Sequence, residues 1–203
     1  AERARPARMA YAAGTAADGD GGLNPFNVVR DFERAVADYC GSTYGVSTTS
    51  CTMALLLACA WFRERDGPSA VSIPKRTYVG VAMSIINAGH LVEFRDEEWR
   101  GKYRLDPLPI WDSARWLTSG IHLPREMTCL SFHWSKHLSI GTGGAVLTSD
   151  AGAVEWLTRA RFDGRRQGVH PKDDTFDVLG HHAYMTPATA AEGLTRLALL
   201  PKH

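Results

Sequence analysis

Hydrophobic residues recur along this chain at two alternating spacings, helical and strand-like, and that alternation limits what it can fold into. Asn24-Pro25 suits a helix start, with Asn as cap and Pro in the first turn. Phe26, Val29, Phe32, Val36 and Tyr39 follow at spacings of three and four, one face of a helix that Gly41 closes. Residues 44–48 read as a short strand. Residues 53–62, the longest apolar run, are too few to span a bilayer and read as a buried helix. Strands are expected over 70–73, 91–94, 108–111, 127–132 and 145–148. Helices are expected over 78–88, 151–161 and 187–199. Strands alternating with helices imply an α/β fold with a largely parallel sheet. Ligands in such folds sit at the carboxyl ends of strands. Three polar segments fall there: residues 50–52, Asp112, and residues 131–136.

Composition narrows the partners. Hydrophobic residues are 44% and charged residues 22%, as in an ordinary globular protein, and the formal net charge is +1. Nothing at whole-chain level draws it to nucleic acid or to an anionic membrane. Residues 1–24, rich in Ala, Gly and Asp, read as an N-terminal arm, leaving 25–203 as the folded domain. That arm has no continuous apolar stretch of the kind a secretory signal carries. A cytoplasmic protein is therefore expected, with Cys40, Cys51, Cys59 and Cys129 as free thiols.

The polar segments carry the chemistry. Lys136 follows a strand and precedes Gly141-Thr142-Gly143-Gly144, whose glycines let the backbone turn beside a bulky ligand. Asp112 ends an apolar segment, a place where an aspartate is often only a cap. Ser50, Cys51 and Thr52 open a helix; they suit either a plain cap or a phosphate site. Tyr78 suits either the core or a stacking role. Together these residues match what pyridoxal 5′-phosphate (PLP) needs: an amine for a Schiff base, a carboxylate for the pyridine nitrogen, a phosphate cradle and an aromatic cover. Metal binding is not expected. His133 and His137 are four apart but lack the intervening Glu of a zinc hydrolase. The glycine turn also lacks the Gly-Lys-Ser/Thr of a nucleotide-hydrolase loop.

The segment Ser131-Phe132-His133-Trp134-Ser135-Lys136 with Gly141-Thr142-Gly143-Gly144-Ala145-Val146 resembles the lysine motif of the DegT/StrS-type sugar aminotransferases, fold type I PLP enzymes. Residues 29–41, 46–57 and 73–82, Asp112-Ser113-Ala114 and Arg161-Phe162-Asp163-Gly164 resemble further motifs of that family, in its order. The resemblance implies a three-layer α/β/α fold with a mostly parallel, mixed sheet. It implies that Lys136 forms the Schiff base, Asp112 pairs with the pyridinium nitrogen and Tyr78 stacks on the ring. Cys51, Thr52 and Ser131 would hold the phosphate, with Ser50 nearby. Glutamate as amino donor, a nucleotide-linked keto sugar as acceptor, ping-pong order and a homodimer are implied as well.

Three positions depart from the family pattern. Cys51 stands where Gly is usual, and Arg115 where Gln or His is usual; Arg115 is expected to donate to the cofactor's phenolic oxygen. His182 stands where the family's Asn reaches the phosphate of the neighbouring subunit. Lys75, Arg76 and His133 are expected to meet the substrate. The chain is expected to stop where the family's large domain ends. Lys136 argues for transamination over sugar dehydration, where the family carries histidine. The alternative is a degenerate relative that binds without catalysing.

Overall fold

The computed structural model describes residues 24–201. The expected N-terminal arm, Asn24 apart, lies outside the described residues. Helix α1 (Asn27–Cys40) buries Val29, Phe32, Val36 and Cys40 on the face that the spacing predicts. Asn24 is not its cap: the Asn24 side chain accepts the Phe26 N–H at 2.9 Å in a turn before the helix begins. Gly41, at φ 76°, ends it, as expected for a residue that tolerates left-handed backbone. Strand β1 (Tyr44–Thr48) leads into α2 (Cys51–Asp66), which runs a turn beyond its apolar stretch. Strand β2 (Ala70–Pro74), helix α3 (Val79–Asn87) and strand β3 (Leu91–Arg95) form a parallel crossover unit.

The next segment departs from the expected pattern. After β3 come β4 (Tyr103–Arg104), which no periodicity announces, and β5 (Ile110–Asp112), with no helix between them. An irregular stretch, 113–126, then connects β5 to β6 (Met127–Ser131). Strand β7 (Gly144–Thr148) and helices α4 (Ala151–Ala160) and α5 (Pro187–Leu197) complete the fold. The main sheet has the order β1-β7-β6-β5-β4, and β2-β3 lie beside it through a bridge from Ser72 to Asp106. The sheet is mixed, but parallel pairing does not dominate. Pairs β1–β7, β6–β7 and β4–β5 are antiparallel, while β5–β6 and β2–β3 are parallel. The reason is local. Strand β7 returns from β6 over a loop, and β4 folds back on β5, so neither step has the helical crossover that parallel neighbours usually need.

Strand alternation divides the core into two layers. Val46, Cys129 and Val146 point into one apolar cluster with α2, α3 and α4. Leu130, Ala145 and Leu147 point into the other with α1 and Leu197 of α5. One polar knot joins helices to sheet. Buried Glu33 on α1 accepts the N–H and hydroxyl of Ser47 at 2.8 and 2.7 Å and pairs with buried Arg161, just beyond α4. Arg161 also donates to the Ser47 carbonyl at 2.6 Å. A carboxylate on an apolar helix face is tolerated there because Oε1 takes three donors, two from Ser47 and one from the Arg161 charge.

Two predictions concern this scaffold. Glu33→Ala should lower stability by about 3–5 kcal/mol in urea unfolding, because it strands the Arg161 charge in the interior. A loss below about 1 kcal/mol would show that the pair is not needed. The second concerns His122, whose backbone N–H bonds the Cys40 carbonyl at 3.0 Å and whose ring is buried beside Thr128 and Ser149. Burial holds the imidazolium below its usual 6.5, so the unfolded chain takes up the proton first. The stabilisation is present above that pH and is lost as pH falls through it. The wild-type melting temperature should therefore fall more steeply between about pH 7 and pH 5 than that of His122→Gln. Equal slopes would clear His122 of this role.

Candidate active site

The site begins where β7 meets the start of α2. Ser50 caps that helix, its hydroxyl accepting the Met53 N–H at 3.1 Å. Helix geometry leaves the first N–H groups of α2, Thr52's among them, without intrahelical acceptors. Gly144 lies against this turn. A Cβ there would come within 2.5 Å of the Cys51 nitrogen and the Ser50 carbonyl carbon, both backbone atoms that cannot yield. Thr142 ties the same corner, donating its hydroxyl to the Thr49 carbonyl at 2.9 Å.

Lys136 sits on the loop between β6 and β7. The loop has no regular structure yet is pinned throughout. Phe132, Leu138 and Ile140 are buried in the α1-side core, and Phe132 packs edge-on against Phe32 at 5.4 Å. Backbone bonds run from Phe132 N to Gly143 O at 2.9 Å, from Trp134 N to Gly141 O at 3.1 Å and from Lys136 N to His133 O at 2.9 Å. Phe132, Leu138 and Ile140 thus point inward while Trp134 stays exposed, and Lys136 and Ser135 are left on the cavity side.

Asp112 ends β5 and is buried. One carboxylate oxygen accepts the Ala114 N–H at 2.9 Å and the other accepts the Tyr103 hydroxyl at 2.8 Å. Burial pushes its carboxyl above the usual range; the Ala114 N–H, the Tyr103 hydroxyl and the Lys136 charge oppose that. Cys51, buried beside both, is held as a neutral thiol, pushed well up by burial and by the Asp112 charge.

These groups line one cavity of about 560 Å³. Its lining includes Ser50, Cys51, Thr52 and Asp112, Ser131 from the end of β6, and His133 and Lys136 from the β6–β7 loop. Arg76, Tyr78 and Arg115 complete the expected set. Tyr78 is no core residue: its side chain stands 69% exposed at the cavity. Two expected residues lie elsewhere. Lys75 does not line the cavity and pairs with Asp96 at 2.6 Å. His182 does not line it either; it is exposed and its ring nitrogen lies 3.1 Å from Asp163. Arg76 is partly neutralised, with Glu98 and Asp96 beside it. Arg115 makes no ion pair among the described residues, and its guanidinium lies 5.8 Å from the Trp99 ring centre. Thr77, Trp99 and Tyr103 belong to this region and were not legible in sequence. Thr77 and Trp99 line the cavity, and Tyr103 stands behind Asp112. No periodicity marks them, because Thr77 lies in the short connection from β2 to α3, and Trp99 and Tyr103 lie on the two-residue strand β4 and the loop before it. Among the described residues, no group of three or more His, Cys, Asp or Glu is arranged to hold a metal ion.

Gly144→Ala tests the junction. The added methyl should push β7 off the α2 turn, at a cost of about 1–3 kcal/mol in thermal or urea unfolding. An unchanged stability would mean that the junction has slack.

The fold is shared with solved structures, a sugar aminotransferase among them. AtS13 from Actinomadura melliaura superposes with a TM-score of 0.72 at 22% identity, covering 87% of this chain and 60% of that one. CalS13 from Micromonospora echinospora gives 0.71 at 16% identity, covering 84% and 60%. PseC of Helicobacter pylori, an aminotransferase involved in the biosynthesis of pseudoaminic acid, gives 0.68 at 19% identity, covering 83% and 56%. The chain thus spans about three-fifths of the length of these structures. No curated protein matches the sequence significantly. No helix among the described residues is long and apolar enough to cross a membrane. The family model for the DegT/DnrJ/EryC1/StrS aminotransferases matches residues 9–110 and 123–203, and the chain belongs to that family.

Proposed function

We propose that this protein is a PLP-dependent aminotransferase that moves an amino group from an amino-acid donor, glutamate by family likeness, to a keto sugar carried on a nucleotide. The observation that carries this reading is the meeting of Lys136, a buried Asp112 and the first turn of α2 on one cavity. The donor set suits PLP. Asp112 is a buried carboxylate whose bonds come from neutral donors, so its negative charge is unspent by any arginine or lysine salt bridge among the described residues. A cavity of about 560 Å³ admits a ring, a phosphate and part of a substrate.

When bound, PLP supplies an electron-poor ring that accepts the electron pair released at the substrate carbon. The chain supplies the rest. The Lys136 amine would anchor the cofactor covalently and, when free, would hold and move a proton on Nζ as general acid and base. Asp112 keeps the ring nitrogen protonated. Thr52 and Ser131, with the α2 N–H groups, hold the phosphate, and Cys51 packs beside them as a neutral thiol. Tyr78 covers the ring face. Arg115 donates to an anionic oxygen, and Arg76 and His133 border the acceptor. One cavity serves donor and acceptor in turn, which is the basis of ping-pong order. The active form is a homodimer in which His182 serves the partner's phosphate site; its exposure, outside the lining of this cavity, supports that reading.

The purified protein incubated with PLP should turn yellow, and borohydride should fix the cofactor on the peptide carrying Lys136. Lys136→Ala should stay colourless, and glutamate should convert the wild-type spectrum to that of the amine form. A wild type that takes up no PLP sinks the assignment.

A further inference from the structure

Asp112 presents a problem of charge. Its side chain is 6% exposed, and a carboxylate so buried tends to take up a proton and become neutral. A neutral acid cannot hold a protonated ring nitrogen. Something must keep it ionised, and the hydrogen bonds around it show what does.

Strand β4 pairs with β5 so that Tyr103 lies directly opposite Asp112. The Tyr103 hydroxyl is 2.8 Å from Asp112 Oδ2 and 2.6 Å from Thr77 Oγ1. The proton count fixes the direction. An ionised carboxylate only accepts, so Tyr103 donates to Asp112. The Tyr103 oxygen is then an acceptor, and Thr77 donates to it. The result is a one-way relay, Thr77 to Tyr103 to Asp112. The Tyr103 ring has little freedom to leave. It is buried, and Trp99 packs edge-on against it at 4.7 Å while bonding the Arg76 carbonyl at 3.0 Å.

We propose that Tyr103, backed by Thr77, is a positioning residue that holds Asp112 as a carboxylate oriented to pair with the cofactor's ring nitrogen. The inference rests on the cofactor reading above for that last clause and for setting Lys136 aside. The other titratable groups facing Asp112 are Cys51 from α2, Cys129 from β6 and Lys136 from the β6–β7 loop. Both thiols are neutral, pushed well up by burial. Lys136 favours the carboxylate, but its nitrogen passes into and out of a covalent bond during the reaction. The Tyr103 hydroxyl and the Ala114 N–H are the donors that stay constant. The Ala114 N–H belongs to the backbone two residues on and comes with the turn. Tyr103 is therefore the side chain on which the state of Asp112 depends.

The test uses the full chain labelled with 13C at aspartate carboxyls and titrated by NMR without PLP, with Asp112→Asn assigning the signal. Tyr103→Phe keeps the ring against Trp99 and removes only the donor. It should raise the Asp112 midpoint by about one to two pH units, the effect of one charge-assisted hydrogen bond. Thr77→Val should raise it less, and Thr77→Ser should restore the wild-type value. A merely structural tyrosine would change the melting temperature and leave the midpoint alone. An Asp112 midpoint unmoved in both Tyr103→Phe and Thr77→Val overturns the proposal. PLP uptake, followed by absorbance on the same proteins, separates the two readings. A raised midpoint in a protein that never takes up PLP supports the relay and refutes the cofactor assignment.

Discussion

The first turn of α2 and the first residue of β7 occupy nearly the same space, and only the missing side chain of Gly144 lets them do so. From that contact the rest of the site follows. It brings the helix N-terminus, with its unpaired N–H groups, beside the loop that carries Lys136. It sets β7 in register with both β1 and β6, so the centre of the sheet and the floor of the cavity are fixed together. The Lys136 loop needs no regular structure, because Phe132, Leu138 and Ile140 fasten it to the core beneath.

Among the described residues Glu33 and Asp112 are buried carboxylates, and they are stabilised in opposite ways. Glu33 is met by a full positive charge, the Arg161 guanidinium, and by Ser47. It links α1, β1 and the end of α4, and its charge is spent on doing so. Asp112 is met by neutral donors only, so its charge remains available to a ligand. The cost is a carboxyl pushed upward by burial, which the hydrogen bonds and the more distant Lys136 offset. Functional groups are commonly held at such a cost in stability.

The path from β3 to β5 shapes the cavity wall. It crosses without a helix, and the brief antiparallel pairing of β4 with β5 takes the place of a crossover. That pairing sets Tyr103 opposite Asp112. The same stretch delivers Trp99 to the cavity lining, where Arg115 from the connection after β5 lies 5.8 Å from its ring centre. The family match leaves out residues 111–122, which include Asp112 and Arg115, so their assignment stands on geometry and on motif order.

Much of this was legible in the sequence. Helical and strand periods located α1, β1, α2 and the β6–β7 pair, because each buries an apolar face or run whose spacing follows from backbone geometry alone. The order of Thr52, Tyr78, Asp112 and Lys136 along the chain announced the site, because each chemical role requires a particular residue type. What the sequence could not carry was anything set by contact between distant segments. Strand direction was one, since it depends on how loops return and not on the pattern within a strand. The outward placement of Lys75 and His182 was another. Glu33, beside Phe32 on the buried face of α1, carries no sign in the local sequence that Arg161 lies against it. Tyr103 carried no signal, because its role consists of one hydroxyl placed between Thr77 and Asp112. Local sequence determined which elements form and which chemistry is possible; tertiary structure decided which charges are neutralised and which stay available, because that depends on partners remote in the chain.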